Sequence, residues 1–229
     1  GFTHLFSEQL SARAFATFER SRIEDSFGRR DFMMAGLDTA LTWDSRDNAA
    51  DATRGFYLQA TAFPFHEFQY ANTAVRATGE ARAYQKIDAE GRAVLAGRVM
   101  VGMLAGVPIA QAPPDKLFFA GGGGSVRGYS YKSIGLGQRR NLKGGLSVFE
   151  ASVEARVKVT DTIGLVAFAD AGTVGPDIVP DFKRMLYGAG LGLRYYTGLG
   201  PIRLDVAMPL NRRRGDSSFA FYAGIGQAF

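Results

Sequence analysis

A glycine-rich run that leads into a lone arginine and aromatic residues has the most distinctive chemistry in this sequence. It reads Gly121-Gly122-Gly123-Gly124-Ser125 and continues as Val126-Arg127-Gly128-Tyr129. A phosphate-binding loop is not indicated, because no frame gives G-x-G-x-x-G and no Gly-Lys-Ser/Thr follows. A flexible linker would not continue into Val126, Arg127 and Tyr129. The pattern predicts a loop folded into a confined space, where Arg127 needs an acidic partner because an unpaired charge out of water is costly.

Catalytic and metal chemistry have little support in the sequence. The histidines, His4 and His66, lie far from any serine motif, G-x-S-x-G does not occur, and cysteine is absent. His66 beside Glu67 is the one candidate for a membrane lipase or protease, and an interfacial or loop histidine next to Pro64 explains it better. We therefore expect no enzyme activity, no cofactor and no metal site.

Composition narrows the class of protein further. The chain has 229 residues, 46% of them apolar, and a net charge of +5 whose lysines and arginines are scattered among acids, so no nucleic-acid surface is predicted. The longest stretch without charge, residues 99–114, contains three prolines. A membrane-spanning helix needs about 20 apolar residues, and proline breaks helices, so helical spans are not expected.

Alternation of apolar and polar residues dominates the chain and predicts strands with two different faces. In residues 149–159 one face is apolar and the other carries Glu150 and Glu154, and in residues 164–171 Asp170 lies on the face opposite Leu165. Several segments, such as residues 71–85, are far longer than the roughly 5 to 6 residues of an average strand. Long alternating strands separated by turns are typical of transmembrane β-barrels, with a soluble β-sandwich or lipocalin-like fold as the alternative.

Ten strands and one long connection are predicted. The connection, residues 107–145, contains the glycine-rich run and is too long for a passive turn, so we expect it to be functional. The strands are placed near residues 9–22, 32–44, 54–64, 70–87, 93–106, 146–159, 163–172, 184–197, 200–209 and 218–229.

Four motifs in order, over residues 32–229, resemble the BamA/TamA outer-membrane superfamily, the bacterial surface antigen barrels. The run around Arg127 resembles the Val/Ile-Arg-Gly-Tyr/Phe signature of the family's sixth extracellular loop, which folds back into the barrel lumen. Residues 118–134 and 193–197 look closer to TamA than to BamA. The other matching segments are Asp44-Ser45-Arg46-Asp47-Asn48 with Thr53-Arg54-Gly55, where Ala52 replaces the usual proline, Phe168-x-Asp170-x-Gly172, and Gly190-x-Gly192-x-Arg194 followed by Gly200-Pro201-x-Arg203-x-Asp205.

The resemblance implies a mechanical role for Arg127. In relatives the loop arginine contacts an acid on the inner wall and locks the loop inside, which here implies contact with Asp170, with Glu150 or Glu154 nearby. The alternation agrees, because these three carboxylates lie on the polar faces of their segments. A carboxylate simply solvated in a water-filled lumen is the alternative for Asp170.

The C-terminal segment resembles the signal strand by which outer-membrane proteins are recognised for insertion. Phe219, Phe221 and Phe229 share one side of the alternation, and an ordinary amphipathic edge strand is the alternative. Gly224 and Gly226 weaken the strand, since glycine offers no side chain for packing. In the family, weak pairing between the first and last strands lets the barrel open sideways, and the exposed edge templates incoming strands.

Family barrels have sixteen strands preceded by POTRA domains, so we expect residues 1–229 to be the C-terminal transmembrane barrel domain or part of it, about the last ten strands, with no POTRA domain. The sheet could close on itself or be completed by a second chain. The resemblance implies a Gram-negative outer-membrane factor for insertion or secretion of β-barrel or autotransporter-type proteins. Its partners would be outer-membrane lipids, nascent outer-membrane or secreted substrates and, if TamA-like, a periplasm-spanning TamB-like protein. The alternatives are a dedicated two-partner-type secretion pore and a plain structural or diffusion barrel, which has no use for Arg127.

Overall fold

The computed structural model describes residues 1–25, 28–137, 141–198 and 200–229. Within them, eleven strands form one antiparallel sheet in which strands adjacent in sequence are adjacent in space. This confirms the predicted all-β architecture of a barrel wall. A short 3₁₀ helix, Phe182–Arg184, precedes the ninth strand. The strands are β1 Phe2–Leu5, β2 Leu10–Asp25, β3 Gly28–Asp44, β4 Gly55–Glu67, β5 Asn72–Lys86, β6 Ala93–Ala105, β7 Ser147–Lys158, β8 Ile163–Gly175, β9 Leu186–Thr197, β10 Gly200–Pro209 and β11 Ala220–Ile225.

Burial along the strands is the reverse of that in a water-soluble sheet. On β8, Leu165 is 54% exposed while Asp170 is 3% exposed, and on β7 Glu154 is fully buried while Val153 is exposed. Such a surface would be unfavourable in water but matches the apolar outer band of a transmembrane barrel. Of the residues described, none belongs to a helix with the length and apolarity to cross a membrane. The exposed apolar set continues on the later strands with Leu191, Leu193, Tyr195, Ile202, Leu204 and Val206.

Two features of the predicted strands are wrong. The short strand β1 was not predicted, because its four residues are too few to show an alternation. The last strand ends at Ile225 rather than at residue 229. Gly226 has a φ of +86°, a conformation that side chains with a Cβ rarely adopt, and it turns the chain towards the inner face, where the Phe229 ring packs 6.5 Å from that of Tyr84.

The connection between β6 and β7 is called the lumen loop below, and its described residues, 106–137 and 141–146, lie against the inner face of the sheet. Short bridges give it its own shape, with Phe118 paired to Gly145 and Ala120 paired to Ile134. Its apolar side chains form a buried cluster with inner-wall residues of six strands, because both surfaces exclude water there. The cluster contains Met34, Phe65, Ala74, Leu104, Val107, Ala112, Phe118, Ala120, Val126, Tyr129, Ile134, Val148 and Val174.

The two end strands of the sheet do not pair with each other. In the part of the chain that the structure describes, β1 pairs with β2 alone and β11 with β10 alone, so the sheet is an open wall. β11 has six paired residues, whereas β2 to β10 have ten to seventeen residues each. One edge of β11 therefore offers unpaired backbone N–H and C=O groups.

Candidate functional site

The first part of the lumen loop contacts strands β2, β3 and β5 of the sheet. Arg30 on β3 donates to the carbonyl oxygen of Ala110 at 2.7 Å, and Arg76 on β5 donates to that of Lys116 at 3.1 Å. The Lys116 ammonium lies 2.7 Å from Glu19 on β2. These contacts hold the first part of the loop over β2 to β5 and direct the glycine-rich tip towards the later strands.

Arg127, at the tip, is 1% exposed and makes polar contacts with three carboxylates of the wall. Its Nε and Nη2 donate to the two oxygens of Asp170 at 2.7 and 2.9 Å, and its backbone N–H donates to the same carboxylate at 3.0 Å. Nη1 donates to Glu154 at 2.5 Å and lies 3.5 Å from Asp205. The guanidinium also lies over the Phe168 ring, 3.4 Å from its centroid. A forked arginine–carboxylate contact is strong and geometrically demanding, so it fixes the tip in one place.

Two further arginines share the carboxylates that hold Arg127. Arg194 on β9 donates to Asp205 at 2.5 Å, and Arg156 on β7 donates to Glu154 at 2.8 Å. These charges have little contact with water, so each carboxylate depends on its arginines. We call this set the lock cluster; its members are Arg127, Glu154, Arg156, Asp170, Arg194 and Asp205.

Glu150, expected near Arg127, has different partners. Its carboxylate accepts a short hydrogen bond from the Ser125 hydroxyl and another from Arg98 at 2.8 Å. Ser125 lies two residues before Arg127, so Glu150 holds the same tip through a neutral side chain. The structure thus brings Asp170 and Glu154 to Arg127, whereas Glu150 on β7 contacts Ser125, two residues earlier in the loop.

Glycines on the inner face leave the space into which the tip fits. A Cβ added to Gly188 would lie 1.8 Å from the carbonyl oxygen of Arg127, and one added to Gly172 would lie 2.5 Å from the Val126 side chain. At Gly192 the added carbon would lie 2.1 Å from Asp205. In the sheet register, Gly188 is directly opposite Asp170, so the missing side chain is beside the main anchor of Arg127.

Tyr129 and Tyr222 connect the tip to the last strands. The Tyr222 hydroxyl on β11 donates to the carbonyl oxygen of Tyr129 at 2.8 Å and accepts from the Gly128 N–H at 3.0 Å. The Tyr129 hydroxyl donates to the Asn211 side chain at 2.8 Å. Burial, with the negative charge of Asp216, raises the pKa of the Tyr129 phenol. The loop is thus tied to the open-edged strand from inside.

The remaining motif residues frame the site. Gly190 packs against the Phe168 ring, while Gly200 and Pro201 begin β10, whose Pro201 carbonyl accepts from the Gly226 N–H at 2.7 Å. Arg203 donates to the Gly123 carbonyl at 3.4 Å. Phe219 and Phe221 are exposed on the apolar side. Phe229, expected on that side, faces inwards instead.

The lock cluster can hold the loop tip in one position, and its charged side chains are paired with one another. Within the residues described, no group of three or more histidines and carboxylates has the placement to hold a metal ion.

A family model described as the Omp85 superfamily domain matches residues 5–229. The chain belongs to the Omp85 superfamily. Family and fold place it in the outer membrane of a Gram-negative bacterium.

A solved structure shows the same fold over nearly the whole chain. The crystal structure of BamA from Haemophilus ducreyi lacking POTRA domains 1-3 matches with a TM-score of 0.79 and 18% sequence identity. The match covers 96% of this chain and 52% of that chain, so this Omp85 chain spans about half the length of that relative. At this identity the likeness supports the fold alone.

Sequence reasoning did not identify several residues of this Omp85 site. Tyr222 contacts the tip directly and Arg156 completes the lock cluster, but neither has an unusual type or spacing on its own strand. Ser125, in the tip itself, contacts Glu150, and its residue type alone does not indicate that partner. Gly188 had a usable signal, since Gly188-x-Gly190-x-Gly192 places three glycines on one strand face beside Asp170. Such a row indicates close approach of another backbone.

We expect Tyr222→Phe to loosen the tip from β11. The change removes one hydroxyl and leaves the Gly128 N–H and the Tyr129 carbonyl without this partner, which costs about 1–3 kcal/mol for buried groups. Limited proteolysis of the membrane-embedded protein should then cleave the lumen loop faster. Tyr195→Phe, on the exposed apolar side, is the matched control and should leave the cleavage rate unchanged. Equal cleavage of the two variants would contradict a tie through Tyr222.

Proposed function

We propose that this chain is part of an assembly or translocation factor that promotes insertion or secretion of β-barrel or autotransporter-type proteins at the outer membrane. The observation that carries the proposal is the contact between the lumen loop and the last strand, β11, which pairs with β10 over only six residues and is held from the inner side through Tyr222. A strand edge that opens is a template for another strand.

The short pairing of β11 supports sideways opening at this edge. Six residues of β11 pair with β10, and Gly224 and Gly226 contribute no side chain to its packing. Release of the loop tip would remove the Tyr222 hydrogen bonds and free β11 to move. In this proposal the lock cluster and the edge of β11 therefore act together. While Arg127 is docked, the loop tip holds β11 in place, and when Arg127 is released, β11 can move.

The rest of the barrel comes from outside residues 1–229 in this proposal. A wall of eleven strands, matched to about half of the BamA chain, supports a role as the C-terminal part of a sixteen-stranded barrel. Its partners are then outer-membrane lipids and unfolded outer-membrane or secreted proteins. A closer relation to TamA adds a periplasm-spanning TamB-like partner, and co-purification of such a protein with the full-length chain tests that addition.

A disulfide between β11 and the first strand of the complete barrel should stop assembly. Full-length protein with cysteine at Ala223 and at the facing position of that strand is expected to lose most substrate assembly in proteoliposomes when oxidised, and to regain it when reduced. The control is the Leu204→Cys, Ala223→Cys pair, which joins β10 to β11 at directly opposed positions and leaves the free edge open.

Full activity of the oxidised cross-link to the first strand would contradict sideways opening. If the cross-linked protein also passes an unfolded polypeptide, and if the purified protein conducts ions when the loop is released, the function is that of a dedicated secretion pore. The well-packed lumen loop favours the edge as the working surface, because the loop occupies the inner face through which a polypeptide would pass.

A further inference from the structure

Arg203 on β10 has donors that the described part of the chain does not satisfy. Its Nη2 makes one long hydrogen bond, 3.4 Å, to the Gly123 carbonyl. Its Nε and Nη1 are shielded from solvent, and within the described residues neither has a hydrogen-bond partner. A guanidinium carries five N–H donors and keeps its charge, so leaving it unpaired is unfavourable. Arg203 is half-buried on the inner face, so these donors are available to an acceptor brought in by another segment.

The side chain of Arg203 extends over β11. Arg203 and Gly224 are directly opposed in the β10–β11 register, and a Cβ at Gly224 would lie 3.0 Å from Nε and 3.6 Å from Nη2 of Arg203. The absence of a side chain at Gly224 therefore lets the guanidinium cross the inner side of the last strand. Beyond β11 lies the free edge of the sheet.

The charge around Arg203 favours an anion. Asp205, Arg194, Arg127 and Glu154 of the lock cluster act electrostatically on Arg203, and the cluster together with Arg203 contains four guanidinium groups and three carboxylates. All three carboxylates form ion pairs with Arg127, Arg156 or Arg194, and no ion pair to Arg203 occurs in the residues described. One positive charge is therefore left over beside the free edge.

We propose that Arg203 binds a glutamate or aspartate side chain of a substrate strand that pairs with the free edge of β11. A strand in that place sets its inner-facing side chain opposite Gly224 about 5 Å away, within reach of the Arg203 fork. Arg203 thus selects incoming strands that carry an acid at this one position. This inference rests on the function proposed above, since it needs a strand to enter at β11.

The test uses the full-length protein in proteoliposomes and a β-barrel substrate whose entering strand is located by cross-linking to Ala223→Cys. Three forms of the substrate carry Glu, Gln or Lys at the position opposite Gly224. We expect the wild-type protein to assemble the Glu form at least about tenfold faster than the Lys form, because like charges side by side are strongly disfavoured. Arg203→Glu should reverse this order, and Arg203→Gln, which adds no buried negative charge, should abolish it. Arg214→Glu, at an exposed arginine, is the control and should keep the wild-type order.

Different outcomes would contradict the role of Arg203 and the proposed assembly function. Equal rates for the three substrate forms with the wild-type protein would overturn the role of Arg203 and leave edge templating intact. An equal slowing of all forms by both Arg203 variants would also overturn it, and would assign Arg203 to the lumen loop or to the first strand of the barrel. Failure of the wild-type protein to assemble any form would contradict the proposed function itself.

Discussion

Replacement of Arg127 by alanine is expected to release the tip of the lumen loop and to abolish the assembly activity proposed above. Among the described residues, Arg127 is the one cation that joins Asp170, Glu154 and Asp205 to the loop, and all four groups are buried. Removing one partner of a buried ion pair costs about 3–5 kcal/mol, which shifts the docking equilibrium by more than about a hundredfold. Arg156 and Arg194 remain, but both are attached to the wall and cannot hold the loop.

Labelling of a cysteine at Val126 measures this release, because that position is fully buried in the docked loop. A membrane-impermeant maleimide should modify Val126→Cys rapidly when Arg127→Ala is also present, and slowly when it is not. Arg127→Lys should give an intermediate rate, since it keeps the charge but lacks the fork that engages Asp170 and Glu154 together. Arg214→Ala, at an exposed arginine, is the control. Slow labelling and unchanged assembly in Arg127→Ala would contradict the lock, because neither docking of the tip nor assembly would then depend on Arg127.

The inner wall of this site could be predicted from the sequence because strand alternation has a fixed period. Once residues 147–158 and 163–175 are strands, the carboxylates Glu154 and Asp170 must share the side opposite Val153 and Leu165. The buried charges and exposed apolar residues of the structure follow this rule through β10. Alternation assigns a face to each side chain but does not assign its partner.

Partners that depend on the path of the loop or the chain end could not be predicted in this way. Glu150 and Glu154 share a face, yet one meets Ser125 and the other Arg127, because the tip crosses the wall obliquely. Phe229 changes side because a single glycine turns the chain. The end of β4 also differs from the prediction, because the strand continues through Pro64 to Glu67. Proline lacks an N–H, and the β3–β4 pairing is interrupted at residues 63 and 64, but the strand resumes beyond them.

Gly188→Ala is expected to have nearly as large an effect as Arg127→Ala without altering any charge. The added Cβ would lie 1.8 Å from the Arg127 carbonyl oxygen, a separation at which either β9 or the loop backbone must move. Gly188 has no positive φ, so alanine itself is compatible with the strand. The strain therefore falls on docking of the tip. The Val126→Cys label should be accessible in this variant, and substrate assembly should fall with it.

Gly79→Ala is the matched control, because a Cβ in the middle of β5 meets nothing nearer than 3.7 Å, from Val101. It should leave labelling and assembly unchanged. Combining Gly188→Ala with Arg127→Ala gives the sharper test. If both substitutions act only by undocking the tip, the double variant should be no worse than the more severe single variant, since a loop already released cannot be released again. Full additivity of the two losses would show that Gly188 and Arg127 act on separate properties of the wall, and would contradict a single lock.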